Sequence, residues 1–192
     1  KLDLSVESRA GCKKSALVFE HVRSSPALRL ACFWLKAWAK KSKVYGQYEG
    51  FPSGLAFTCM ALYAAKHLHP PLARTILPTC TFPPSAFLGE LELTPSLLRE
   101  TLSLFIAIFE FYATAFDWQQ ETVTIVSQFR AFRIAHPILH VLDPVEPGVD
   151  LALPYLDSTR SQLLQHKILE SHKLFSSDRG LSALHQISIL EL

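Results

Sequence analysis

Three cationic side chains, Arg29, Lys36 and Lys40, fall at one azimuth of a single predicted helix. From Ser25 to Ser42 nearly every other position is apolar. At about 100° per residue the three cations and Phe33 therefore share one narrow sector of a helix otherwise suited to being surrounded by protein. An ammonium removed from water without a partner is costly, so such a stripe meets carboxylates, solvent or a phosphate-bearing ligand. The structural alternative is lysine stems snorkelling to water at a helix end. Other constellations carry less. His136 and His140 are separated by Pro137 and cannot share the helix face of a zinc pair, and His67 and His69 stand beside prolines with no Cys or carboxylate close by. Glu90 and Glu92 form an acid pair of a kind that arises by chance in chains of this size. No G-x-S-x-G, Walker loop or G-x-G-x-x-G is present.

The elements that must position these residues read mainly as helices. Lys13 to Val22 predicts a short helix, and Ser25-Pro26 caps the next with proline in its first turn. Gly50 to Leu68 predicts a third helix, entered through a small-residue turn. Thr94-Pro95 opens a fourth, in which Leu97, Leu98, Leu102, Phe105, Ile106, Phe109 and Tyr112 keep the helical period. Asp157 to Phe175 predicts the last. Val123–Val126 and Ile138–Leu142 read as an antiparallel strand pair, and Lys1 to Val6 alternates as a short strand with Asp3 opposite Leu2, Leu4 and Val6. Residues 69–95 hold several prolines and no clear period, which suits an insertion, a binding loop or a partner-contacting arm.

At 192 residues the chain suits one domain, with or without a small appendage, and 49% hydrophobic residues exclude a disordered chain. A net charge of +2 and a pI near 8.4 do not announce nucleic-acid binding, so any basic surface is local. Cys12, Cys32, Cys59 and Cys80 form no C-x-x-C pair and read as free buried thiols in a reducing compartment. The most apolar run, Leu102 to Phe116, is interrupted by Glu110 and is too short to cross a bilayer, and neither a membrane span nor a signal peptide is expected. A chain beginning with Lys1 reads as trimmed, processed or part of something longer.

The run Lys36-Ala37-Trp38-Ala39-Lys40, followed by Ser53-Gly54-Leu55-Ala56-Phe57 at the head of an apolar helix, resembles the central domain of terminal nucleotidyltransferases, the poly(A) polymerases and terminal uridylyltransferases. Two further blocks occur in the same order. Phe111 to Trp118, F-Y-A-T-A-F-D-W, is similar to an aromatic segment of that family, and Asp143 to Ala152, D-P-V-E-P-G-V-D-L-A, resembles its D-P-x-x-x-x-x-N/D-x-A/G segment. The resemblance spans about residues 1–175. It implies a mainly α (α+β) fold: 1–10 as a remnant of a palm-type catalytic domain, 11–175 as the central helical domain with an insertion at 69–95, and 176–192 as a tail or short helix.

The resemblance also implies roles. Lys36 and Lys40 would contact the triphosphate of an incoming nucleotide, with Ser15, Ser53, Gly54 and Leu55 around it, and Arg29, Lys36 and Lys40 would meet RNA. Asp3 would be the third metal-site carboxylate. Three positions depart from the pattern: Lys14 stands where the family has an asparagine, Leu55 where it has a base-stacking aromatic, and Val149 where uridylyltransferases carry a uracil-selecting histidine.

Two-metal transfer needs several carboxylates, whereas Asp3 supplies one, so Mg²⁺ is expected only where another chain completes the site. The expectation is a degenerate, non-catalytic RNA- or protein-contacting component of a larger ribonucleoprotein assembly, without a membrane, in the mitochondrial matrix or else in cytosol or nucleus. The alternatives are the C-terminal part of an active RNA 3′-end adenylyl- or uridylyltransferase whose catalytic half is on another chain or unresolved, and a helical interaction module unrelated to nucleotides.

Overall fold

The computed structural model of the chain describes residues 9–23, 25–68, 93–127, 129–154 and 156–177. Asp3 and the strand expected around it, the acid pair Glu90 and Glu92, Cys80, His69, most of the 69–95 segment and most of the tail lie outside the described residues.

Among the described residues there are five α-helices, most of them opened by a side-chain cap. They are α1 (Arg9–Val22), α2 (Pro26–Lys41), α3 (Gly54–Leu68), α4 (Pro95–Glu110) and α5 (Ser158–Phe175). Ser25 Oγ accepts from the Leu28 N–H at 3.2 Å, Thr94 Oγ1 from Leu97 N–H at 3.2 Å, and Asp157 Oδ1 from Arg160 N–H at 2.7 Å. Each cap satisfies an otherwise orphaned donor, and Pro26 and Pro95 fill first-turn positions that need no donor. Two boundaries differ from the sequence expectation. Helix α1 begins at Arg9, and α3 begins at Gly54 rather than Gly50, because the 3₁₀ turn Gln47–Glu49 and left-handed Gly50 intervene. A single wide π-type turn, Phe111–Ala115, continues α4.

Helix α3 is the centre of the molecule. Every residue from Ala56 to Ala65 is buried, as suits a helix apolar around its whole circumference. Helix α2 packs against both α3 and α4, and α5 closes over α4. Trp38 fixes this arrangement: its ring meets Phe109 edge-on at 4.8 Å while Nε1–H donates to Ser171 Oγ on α5 at 2.9 Å. The expectation that α2 is surrounded by protein is corrected. Its Arg29–Phe33–Lys40 side faces solvent, and Trp34 is half-buried against Phe105.

The sheet corrects a second expectation. Strands β1 (Glu121–Val123), β2 (Ala131–Phe132) and β3 (His140–Val141) lie in the order β2-β1-β3. β1 pairs antiparallel with β2 through Glu121↔Phe132 and parallel with β3 through Thr122↔His140. The two stretches read as an antiparallel pair are thus parallel. The chain reverses once into β2 on one edge and again into β3 on the other, and two reversals restore the first direction. A bridge between Leu142 and Asp150 extends this edge.

The cysteine reading is corrected in part: Cys32 and Cys59 are buried and Cys12 is exposed, all three without a disulfide. Burial pushes both buried thiols up to about 12, with the Lys36 charge acting against that rise at Cys32. No described helix is long and apolar enough to cross a membrane.

Candidate phosphate site at the head of the central helix

Ser53 caps α3, its Oγ accepting from Ala56 N–H at 3.3 Å and its carbonyl from Phe57 N–H at 3.1 Å. The first-turn N–H groups of Gly54 and Leu55 have no carbonyl one turn back to bond, and such a helix start favours anions. Lys36 of α2 passes this point. A Cβ built on Gly54 would lie 3.6 Å from Lys36 Cδ and only 2.6 Å from Tyr45 Oη, so glycine here permits a tyrosine hydroxyl to approach the helix start. The Tyr45 ring is nearly parallel to Phe57 at 5.9 Å, and the exposed Lys40 ammonium sits 5.2 Å from its centroid. Lys36, Lys40, Tyr45, Ser53 and Gly54 thus gather where α2 crosses the start of α3. Arg29 lies two turns back along the same open side.

Among the described residues, Arg29, Lys36 and Lys40 have no carboxylate within ion-pair distance. The first alternative for the stripe, neutralisation by the chain's own acids, therefore fails for these residues. Ser15 is exposed on α1, and no polar contact joins it to the stripe. Leu55 is half-buried and packs against the core.

Lys14 has a different fate. Its ammonium lies 2.5 Å from Asp143 Oδ2 and bonds Glu146 Oε2, tying α1 to the 143–150 segment. The Asp143 side chain is fully buried, and its Oδ1 accepts from Val145 N–H at 2.9 Å and Glu146 N–H at 3.0 Å. Burial opposes ionisation of Asp143, yet Lys14 and these two donors hold its carboxyl below the ordinary carboxylate range. The same pairing, Asp143 foremost, raises the Lys14 ammonium above its ordinary value. Asp150 turns its Oδ1 to Ala152 and Leu153 N–H groups at 2.7 and 2.8 Å, and Oδ2 lies 3.0 Å from His140 Nδ1. Burial keeps His140 below its ordinary value despite that carboxylate.

A second buried polar cluster was missed in the sequence. Glu121 is fully buried in β1 and receives the Tyr63 hydroxyl of α3, Arg130 Nε at 2.5 Å and a second Arg130 nitrogen, with Asp117 N–H at 3.2 Å. It fastens the sheet to α3. The one local signal was an acid heading an apolar strand, which does not name its partners.

Among the described residues no group of three or more His, Cys, Asp or Glu could hold a metal ion. Asp143 and Asp150 direct their oxygens to Lys14, His140 and backbone donors, so they are not arranged as metal ligands. The Mg²⁺ that the resemblance implies therefore finds no cradle in this part of the chain.

No family model matches the sequence, and no curated protein matches it. Solved structures do. RNA Editing TUTase 1 from Trypanosoma brucei in complex with UTP superposes with a TM-score of 0.67 at 17% identity, over 88% of this chain and 41% of that one. The fold is that of a terminal uridylyltransferase's helical part. A mutant Cid1 poly(U) polymerase bound to MgATP gives a TM-score of 0.71 at 18% identity, over 94% of this chain and 60% of that one. A cytoplasmic RNA terminal U-transferase gives 0.71 at 17% identity, over 94% and 63%. The chain thus spans less than two thirds of the length of each of these three terminal transferases. The ordered blocks from Lys36 to Ala152 and the tertiary fold point the same way.

Proposed function

We propose that this chain is a terminal ribonucleotidyltransferase-like protein whose helical part holds the phosphates of RNA or of a nucleotide without itself transferring nucleotides, as a component of a larger ribonucleoprotein assembly. The observation that carries this reading is a division within the site. The phosphate side is kept: Lys36 and Lys40 stand beside the Ser53–Gly54 helix start with no carboxylate neutralising them among the described residues. The base side is replaced: Lys14 is committed to Asp143 and Glu146, Leu55 offers no ring to stack on, and Val149 is exposed. A site of this kind holds phosphate by charge and has lost the means to read a base. The expected location is a reducing compartment, the mitochondrial matrix first.

The second reading, the helical part of an active RNA adenylyl- or uridylyltransferase, draws on the activities of the structural neighbours. In such an enzyme the lysines and helix start would neutralise the triphosphate while the RNA 3′-oxygen bonds to the α-phosphorus and pyrophosphate leaves. One experiment separates the two. The chain and its Arg29→Ala/Lys36→Ala/Lys40→Ala variant are titrated with labelled single-stranded RNA and with ATP and UTP at two salt concentrations. The wild type is expected to bind more weakly as salt rises, and the triple variant to bind more weakly still with a shallower salt slope, since each phosphate left unneutralised keeps its counterions. Unchanged affinity and slope in the variant would remove the cationic stripe from the function. Base-selective binding of UTP over ATP, or of ATP over UTP, would favour the second reading.

A further inference from the structure

Beyond the stripe, a depression of about 410 Å³ lies between the C-terminal end of α2 and the last turns of α5, lined by Lys41, Ser42, Lys43, Lys167, Glu170, Ser171 and Leu174. Lys41 is turned by about 100° from Lys40 around α2, toward the side on which Trp38 bonds Ser171. The depression is therefore a different face from the Lys36–Lys40 groove.

Three ammonium groups and two hydroxyls line it against one carboxylate. That carboxylate, Glu170, is already shared by Lys167 at 2.8 Å and His166 at 3.0 Å on the exposed surface of α5. Lys43 has no carboxylate within ion-pair distance among the described residues. A lysine at a helix end is ordinarily explained by the helix dipole, and that accounts for Lys41. Lys43 stands just past the Ser42 cap and is the one described non-glycine residue at positive φ, +58°, in the turn that ends the helix, its N–H donating to Lys40 O at 3.1 Å and Val44 N–H to Ala39 O at 3.0 Å. Lys43 lines the depression together with Lys41 and Lys167. Ser171, whose hydroxyl accepts from Trp38 Nε1–H, also lines the depression.

We propose that the Lys41–Lys43–Lys167 depression is a second phosphate-binding subsite, for the phosphodiester backbone of an RNA strand or for a free phosphate ion. The RNA source rests on the functional reading above; the phosphate chemistry does not. A Lys43→Asn/Lys167→Gln variant removes two ammonium groups from the surface and keeps at position 43 a residue that tolerates the left-handed backbone.

In the first arm, inorganic phosphate is titrated into isotopically labelled protein, and the amide signals of Lys43 and Ser171 are followed. Saturable shifts in the wild type that vanish in the variant are the expected result. In the second arm, binding of a single-stranded RNA oligonucleotide is measured against salt. The slope of log affinity on log salt is expected to fall by roughly 0.7 for each RNA phosphate that the variant leaves unneutralised, with ATP and UTP affinity unchanged. An unchanged RNA slope, in a variant whose phosphate shifts have vanished, assigns the subsite to free phosphate. If the wild type binds no RNA, the functional reading fails while the phosphate arm still decides the subsite. No phosphate shifts in the wild type, or identical shifts in the variant, would overturn the proposal.

Discussion

Lys14 shows how one side chain can change what a position does. An amide there would present a donor and an acceptor to a ligand, whereas the ammonium is held by Asp143 and Glu146. The pair carries a pH signature. Asp143 is held below its ordinary value, so its contribution is present above about pH 3.9 and is lost as pH falls through the depressed value. Lys14 is raised, so its contribution is present below about pH 10.4 and is lost as pH rises through the raised value. Lys14→Asn leaves a buried carboxylate without its cation. The expected loss is about 1–3 kcal/mol at neutral pH, with a smaller further loss than the wild type's as pH falls below about 3.9 in urea titrations. A variant as acid-sensitive as the wild type would show that the pair contributes nothing. Trp38 belongs to the same scale. It is buried, edge-on to Phe109 and bonded to Ser171, so Trp38→Ala should cost about 3–5 kcal/mol by chemical denaturation. A cost below ~1 kcal/mol would mean that α2 and α5 repack without it.

At the scale of elements, the crossing of α2 over the head of α3 makes the candidate phosphate site, and Gly54 sets how closely Tyr45 approaches it. Gly54→Ala tests this with two opposed effects. Alanine gains about 1 kcal/mol of helix propensity, and displacing Tyr45 from its place beside Phe57 forfeits about 0.5–1.5 kcal/mol of ring packing. Stability should change by less than ~1 kcal/mol while phosphate-ligand affinity falls, because the ring that supports Lys40 has moved. Unchanged affinity of ATP or RNA for this variant would detach Tyr45 from the site. The helices were legible because their stop and start signals are local: Ser25-Pro26 and Thr94-Pro95 cap where the sequence places caps. The sheet was not, because strands of two or three residues carry too little pattern to reveal β2 or the parallel register of β3.

For the whole molecule, the decisive prediction is that the 192-residue chain, given Mg²⁺ or Mn²⁺, each nucleoside triphosphate and RNA with a free 3′ end, extends nothing on a sequencing gel. The reason lies in the described residues, where Asp143 and Asp150 are tied to their own partners and no carboxylate cluster is arranged for metal. Extension that disappears on Asp3→Ala would establish the active-enzyme reading instead. The ordered blocks in the sequence determined the fold class, the helix order and the pairing of Lys36 with Lys40, since caps, helical period and motif spacing are properties of short stretches. Tertiary structure alone decided which helix is central, that α2 keeps an open side, and that Lys14 belongs to Asp143 rather than to a ligand. It also decided the joining of Glu121 to Tyr63 and Arg130. Such contacts join residues more than a hundred positions apart, as Lys14 and Glu146 are, 132 positions from one another. No local pattern records them, because the energy of a buried ion pair depends on which charges the packing brings together.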